Sequence, residues 1–224
     1  MRARIHRWTL RHAARGAVAL VVFLFTGVPG SLPFAATLPQ ISIIIDDLGN
    51  HRESGLEAVS LPGPLAYAFL PHTPYAAQLA EIAHQNGKEV ILHIPMQSRS
   101  GRRLGPGAVT AGMDRIELMR VVSAGLRSVP HVSGVSNHMG SLLTSRRDAM
   151  GWLMDLLRVR GNLFFVDSLT TGSSRALEVA QQRRVPSTMR DVFLDAEVDE
   201  AEIYRAFERM VRIAKRRGSA LAIG

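Results

Sequence analysis

The chain has 224 residues, 46% of them hydrophobic, with a formal net charge of +8 and no cysteine. That length suits one compact domain with a sizeable core. The lack of cysteine excludes disulfides, thiolate metal sites and cysteine nucleophiles, so a transition-metal site must be built from His and carboxylates. Five of the positive charges, Arg2, Arg4, Arg7, Arg11 and Arg15, fall in the first 36 residues, which hold no Asp or Glu. The remainder carries +3 with interspersed signs, an ordinary surface rather than a nucleic-acid-binding face.

The first segment, residues 1–36, has the layout of an export signal. The basic stretch MRARIHRWTLRHAAR precedes the short apolar run GAVALVVFLFTGV, and small and turn residues follow in PGSLPFAAT. The apolar run is shorter than the ~20 residues of a comfortable membrane span. A cleaved signal or an N-terminal membrane anchor is therefore expected, with residues 37–224 as the domain beyond it, placed in the periplasm or the cell envelope. Membrane contact is expected only through that N-terminal segment.

From residue 41 onward, strand-like and helix-like runs alternate. ISIIID (41–46) reads as the first strand and PLAYAFL (64–70) as the second. YAAQLAEIAHQNG (75–87) has helical spacing and a Gly stop, and KEVILHI (88–94) is the third strand. A helix over 113–129, with Asp114 and Glu117 near its start, leads to a weaker strand, VSGVSNH (132–138). A helix over 146–161 leads to NLFFVDS (162–168), and one over 174–184 leads to DVFLD (191–195). A long helix over 198–218 has Asp199 as its cap or first-turn acid and Lys215, Arg216 and Arg217 in its last turn, where cations complement the helix dipole. SALAIG (219–224) is a further strand. About seven strands alternating with helices predict a parallel sheet with helical crossovers, closed or nearly closed into a (β/α) barrel; a doubly wound open sheet is the alternative. A barrel strand ending at Gly224 leaves no following loop or helix, so the barrel looks truncated at its last strand. Residues 97–112, QSRSGRRLGPGAVTAG, form a long aperiodic loop expected to cover one end of the barrel.

The polar residues of interest fall at strand ends. Asp46 and Asp47 end the first strand, His72 follows the second, His93 ends the third, Asn137 and His138 the fourth, and Asp167 the fifth. Arg190 and Asp191 flank the sixth. In a parallel barrel the strand C-termini share one face, so these residues converge although they are far apart in sequence. Taken singly each has an ordinary structural reading: Asp47 could cap a turn at Gly49, and an isolated His is more often buried and satisfied than a ligand. His51, His84 and His131 are read that way. Five successive strands ending in His or Asp carry the argument jointly. Two imidazoles and a carboxylate are a standard set for a catalytic zinc or a similar divalent ion, with an open position for water. The ion would activate that water as nucleophile, and a second carboxylate would take its proton. Arg190 could orient that carboxylate or hold the substrate or the oxyanion. No G-x-S-x-G, P-loop or G-x-G-x-x-G motif offers another chemistry.

With IIIDDLG, AFLPHTPY, LHIPMQ, SNHMGS, FFVDSLTT and RDVFLD in that order, the sequence resembles the divergent polysaccharide deacetylase family from about Ile41 to the C-terminus. The resemblance implies a distorted (β/α)7 barrel of the NodB-like glycoside hydrolase/deacetylase superfamily, and metal-dependent removal of acetyl groups from N-acetylated carbohydrate. By position it implies Asp46 as catalytic base and Asp47 and His93 as metal ligands. The wider group carries a second histidine four residues after the first. Gln97 stands there in this chain, and His138 is taken to supply the missing ligand. The late histidine of the wider group is absent from residues 1–224. His72, Asn137, Asp167 and Asp191 are expected at the substrate or behind the ligands. The expected function is thus an exported zinc-type hydrolase of N-acylated carbohydrate. The alternative is a non-catalytic barrel of the cell envelope that binds metal or glycan, or a structural partner in envelope assembly.

Overall fold

The computed structural model describes residues 38–224; the expectation for residues 1–36 lies outside them. Among the described residues no helix is long and apolar enough to cross a membrane. The elements alternate as read from the sequence, with a helix, Arg52–Val59, and a strand, Ser187–Met189, in addition. They are β1 (Gln40–Leu48), α1 (Arg52–Val59), β2 (Ala66–Phe69), α2 (Ala76–Gln85), β3 (Glu89–Met96), α3 (Arg115–Ser128) and β4 (Gly134–Met139). There follow α4 (Arg147–Arg160), β5 (Phe164–Asp167), α5 (Ala176–Gln182), β6 (Ser187–Met189), β7 (Val192–Phe193), α6 (Glu200–Arg217) and β8 (Ser219–Ile223). All strand pairings are parallel, in the order β6-β5-β4-β3-β2-β1-β8-β7.

The two edge strands of this sheet are consecutive in the chain, separated only by Arg190 and Asp191. Two residues span less than about 11 Å, so the sheet must curl until its edges meet. The backbone records the transfer. The Arg190 N–H donates to the Asp167 carbonyl on the β5 side, and the next N–H, of Asp191, donates to the Leu221 carbonyl in β8. Alternate N–H groups facing opposite neighbours is how any inner strand of a parallel sheet behaves. The sequence predicts one strand over 191–195, which contains β7; β6 was not expected. Together β6 and β7 fill the sixth position, so the fold is a distorted seven-unit (β/α) barrel.

Alternation along the strands sorts the side chains into shells. Inward positions Ile44, Ala68, Ile91, Val166, Leu221 and Ile223 form a small core inside the barrel. Outward positions such as Tyr67, Phe69, Leu92, Val135 and Phe165 pack against the helices in the main core. A third cluster, with Val192, Met210, Ala214 and Ala222, seats α6.

The helix caps follow the sequence. Asp114 and Asp199 accept from the backbone N–H of Glu117 and Glu202, and α6 ends at Gly218 in the left-handed region. Helix α1 has no strong apolar period and was not expected. Its Gly55 explains the placement, because a Cβ there would sit 2.4 Å from Leu79 Cδ1 of α2, so only glycine lets the two helices approach this closely. The buried Tyr67 ring anchors α1 further by donating its hydroxyl to the Ala58 carbonyl.

Candidate metal centre

Strand β1 supplies both acids by breaking its own regularity. In an unbroken strand, adjacent side chains point to opposite faces, so Asp46 and Asp47 could not share a site. The pairing with β2 slips between Ile45 and Leu48, a bulge, and Asp47 takes φ 58°, in the left-handed region that Asp tolerates better than most residues. The result brings both carboxylates to one imidazole. His93 Nε2 lies 3.3 Å from Asp46 Oδ2 and 3.3 Å from Asp47 Oδ1. From β4, His138 Nδ1 lies 2.6 Å from the same Asp47 Oδ1. The two rings sit edge to face with centroids 5.3 Å apart.

Asp47, His93 and His138 each offer one ligand atom, and these atoms all lie within 4.8 Å of one another. That spread and donor set suit a divalent ion of the zinc type, with three protein ligands and an open side. The open side is visible in the exposures: the Asp47 side chain is 54% exposed, whereas that of His93 is 2%.

The ligand set is held from behind. His93 Nδ1 is 2.7 Å from the hydroxyl of Ser136, which is 1% exposed. With an ion bound, an Nδ1–H donated to Ser136 would present the Nε2 lone pair to it, the tautomer a metal requires. Ser136 was not singled out in the sequence. Its signal was the strand period, two residues before His138 on the same face of β4.

Electrostatics separates the two acids. Burial raises the pKa of Asp46, with Asp47 and Asp195 adding to the rise and His93 opposing it. Burial also pushes Asp47 upward, but hydrogen bonds from His138 and His93 more than cancel it and hold its carboxyl well below the usual range. For His138 burial favours the neutral ring, and the Asp47 hydrogen bond and charge outweigh it, so its pKa is raised. The two acids thus differ: Asp46 holds a proton more readily than an ordinary carboxyl, and Asp47 less readily.

The remaining expected residues are distributed unevenly. Asn137 and Asp167 are buried and hold the loops after β4 and β5. Asn137 Nδ2 donates to the Met139 carbonyl, and its Oδ1 accepts from the Ser168 N–H; Asp167 accepts from Leu169 N–H and from the Ser174 hydroxyl. Met139 and Leu169 have φ 57° and 47°, so these side chains brace strained backbone beside the site.

Arg190 donates to the Ser168 and Leu169 carbonyls, and its guanidinium lies 3.5 Å over the Phe193 ring. Burial lowers its pKa, against the opposing charges of Asp167, Asp191 and Asp46. Beside it, Ser168 Oγ is buried without a hydrogen-bond partner. Asp191 is not brought to the cluster. Its carboxylate accepts from Arg217 and from the Leu221 N–H, and it lines a cavity at the opposite mouth. His72 follows β2 at the mouth of the cluster but is not one of its members: its N–H donates to Ser128 Oγ of α3 and its ring lies against Gly107.

Gln97 is no ligand. Its side-chain oxygen accepts from Ala111 N–H, and its backbone pairs with Val109, Leu142 and Leu143, which fastens the loop over 97–112. His84 and His131 stack on each other at 3.8 Å beside Glu81, apart from the cluster.

Comparison with known proteins agrees with this architecture. The family model described as divergent polysaccharide deacetylase matches residues 43–224. The chain is 36% identical over 185 residues to the uncharacterized protein YibQ of Escherichia coli (strain K12), covering 83% of this chain and 58% of that protein. It is 32% identical over 210 residues to an uncharacterized protein of Haemophilus influenzae, covering 94% of this chain and 74% of that one. Among solved structures, the uncharacterized protein ATU2773 of Agrobacterium tumefaciens C58 superposes with a TM-score of 0.80 at 25% identity, over 85% of this chain and 78% of that one.

Proposed function

The chain belongs to the divergent polysaccharide deacetylase family, and on that premise we propose that it is a metal-dependent hydrolase that removes acyl groups, acetyl above all, from N-acylated carbohydrate. The observation that supports this most directly is the convergence of Asp47, His93 and His138 around one open position, with a second, half-buried carboxylate alongside.

Asp47, His93 and His138 would hold a divalent ion, zinc by donor chemistry, which when bound polarises an acyl carbonyl and makes a neighbouring water more acidic. Asp46, its Oδ2 3.3 Å from His93 Nε2 and outside the three-residue set, would accept the proton of the attacking water. Ser136 fixes the His93 tautomer. Asn137 and Asp167 hold the loops that carry His138 and Arg190's carbonyl partners. Arg190, its charge desolvated and bonded only to carbonyls, offers its remaining N–H groups to a substrate oxygen. Residues 1–36 would deliver the domain to the periplasm or envelope, where polymeric glycan is found.

The test is acetate release from N-acetylglucosamine oligomers by zinc-loaded protein, with Asp46→Asn as comparison. Loss of turnover with retained metal in that variant supports the reading. Glycan binding and metal binding without acetate release by the unaltered protein would instead identify a binding module.

A further inference from the structure

The loop over 97–112 contains Arg99, Arg102 and Arg103 and no acidic residue. It leaves β3 just beyond His93 and touches the segments that follow three other strands at the same mouth. Gly107 packs on Pro71 and His72 after β2, and Gly105 lies against Pro95. Arg99 binds Ser141 after β4, and its Nη2 donates to the Ser145 and Ser173 hydroxyls. The loop therefore rims the metal-type cluster on its β3–β5 side.

Arg99 serves as the clasp, and all its partners are neutral. Arg102 and Arg103 are exposed, and among the described residues neither lies within salt-bridge distance of a carboxylate. Some surface arginines elsewhere are paired, as Arg146 is with Asp148 and Arg147 with Glu178, and others are not; Arg102 and Arg103 differ in standing with Arg99 on one loop at the mouth that holds the cluster. Three guanidinium groups with no acid between them, one of them held by hydrogen bonds and two exposed on the same loop, concentrate positive charge that the near-neutral charge of the whole domain conceals. Guanidinium forks match carboxylate and phosphate oxygens.

We propose that this rim is an anion subsite, and that the glycan taken by the metal-type centre carries a fixed negative charge, carboxylate or phosphate, on a sugar next to the one that is deacylated. This rests on the hydrolase reading above.

The test uses the zinc-loaded full chain and three ligands of one backbone: an N-acetylglucosamine pentamer, its 6-carboxylated form and its 6-phosphorylated form. At about 50 mM NaCl at least one charged pentamer should bind about tenfold more tightly than the neutral one, and at about 500 mM the advantage should shrink below about twofold. Which charged form wins identifies the anion. The double variant Arg102→Gln/Arg103→Gln should abolish the preference and leave neutral-pentamer binding unchanged. Equal binding of all three ligands overturns the proposal. So does equal weakening of all three in the variant, or binding of polyglutamate as tight as that of the charged pentamers, which would mark the rim as a contact for acidic protein. Acetate release from the neutral pentamer reads the hydrolase activity separately, so either idea can fail alone.

Discussion

Ile44, Ile91 and Val166 point into the barrel at its lower level, where with Leu221 they line a cavity of about 390 Å³ that opens at the N-terminal mouth. Two residues further along the same strands the inward positions are Asp46, His93 and Ser168. One step of the strand period separates an aliphatic floor from a cluster of titratable groups. At the floor the polar neighbours are satisfied locally: Asp191 by Arg217 and the Leu221 N–H, Glu89 by the Ser133 hydroxyl. At the upper level the acids crowd one another, a serine hydroxyl is unpartnered, and the backbone at Asp47, Met139 and Leu169 is strained. The lower layer is built from apolar packing, and the upper rim gathers crowded charges and strained backbone.

The sharpest way to break this division is to remove a ligand. Asp47→Ala or His138→Ala should weaken zinc binding by about 100-fold or more, read by calorimetry and metal analysis, since two ligands cannot hold the ion as three do. If either variant keeps zinc at unchanged affinity, the upper level has no metal centre. The converse variant lies one layer down. Ile91→Ala should cost about 2–4 kcal/mol in denaturant unfolding with zinc affinity preserved, because it deletes buried methylenes from the floor alone.

A finer probe is Ser136→Ala, which should lower zinc affinity by about 10-fold through loss of the tautomer lock. Nitrogen chemical shifts of His93 would then show a mixture of tautomers in place of Nδ1–H alone. The smallest effect is on pH. The raised pKa of His138 means that its proton competes with the ion, so zinc occupancy should fall as pH drops through that value and recover above it. In the metal-free protein the sign reverses for stability. The His138–Asp47 pair stabilises the fold fully below the unfolded histidine pKa and loses that contribution as pH rises through the folded one, which equilibrium unfolding at a series of pH values would record.

Much of the barrel was legible because it is local. The greasy runs at 41–46, 88–94 and 162–168, the Gly stops and the Asp caps each depend on a few neighbouring residues. Helix α1 was not legible, since its position is set by the glycine contact with Leu79 rather than by an apolar stripe. Strand β6 was missed, and its continuation into β7 was hidden, for a similar reason: hydrogen bonding to two non-adjacent strands leaves no mark on residues 187–193. Among the site residues, those at the ends of β1, β3 and β4 converged as expected, whereas His72 and Asp191 share the strand-end pattern without joining the cluster.

By itself the sequence determined which chemical groups stand at strand ends, because side-chain type and the period of two are properties of the chain alone. Only the tertiary structure decided that Asp47 turns back to join Asp46, that Ser136 locks His93, and that Gln97 fastens a loop instead of binding metal. Each of these depends on a backbone dihedral or a cross-strand register, and those are fixed only when distant segments pack against one another.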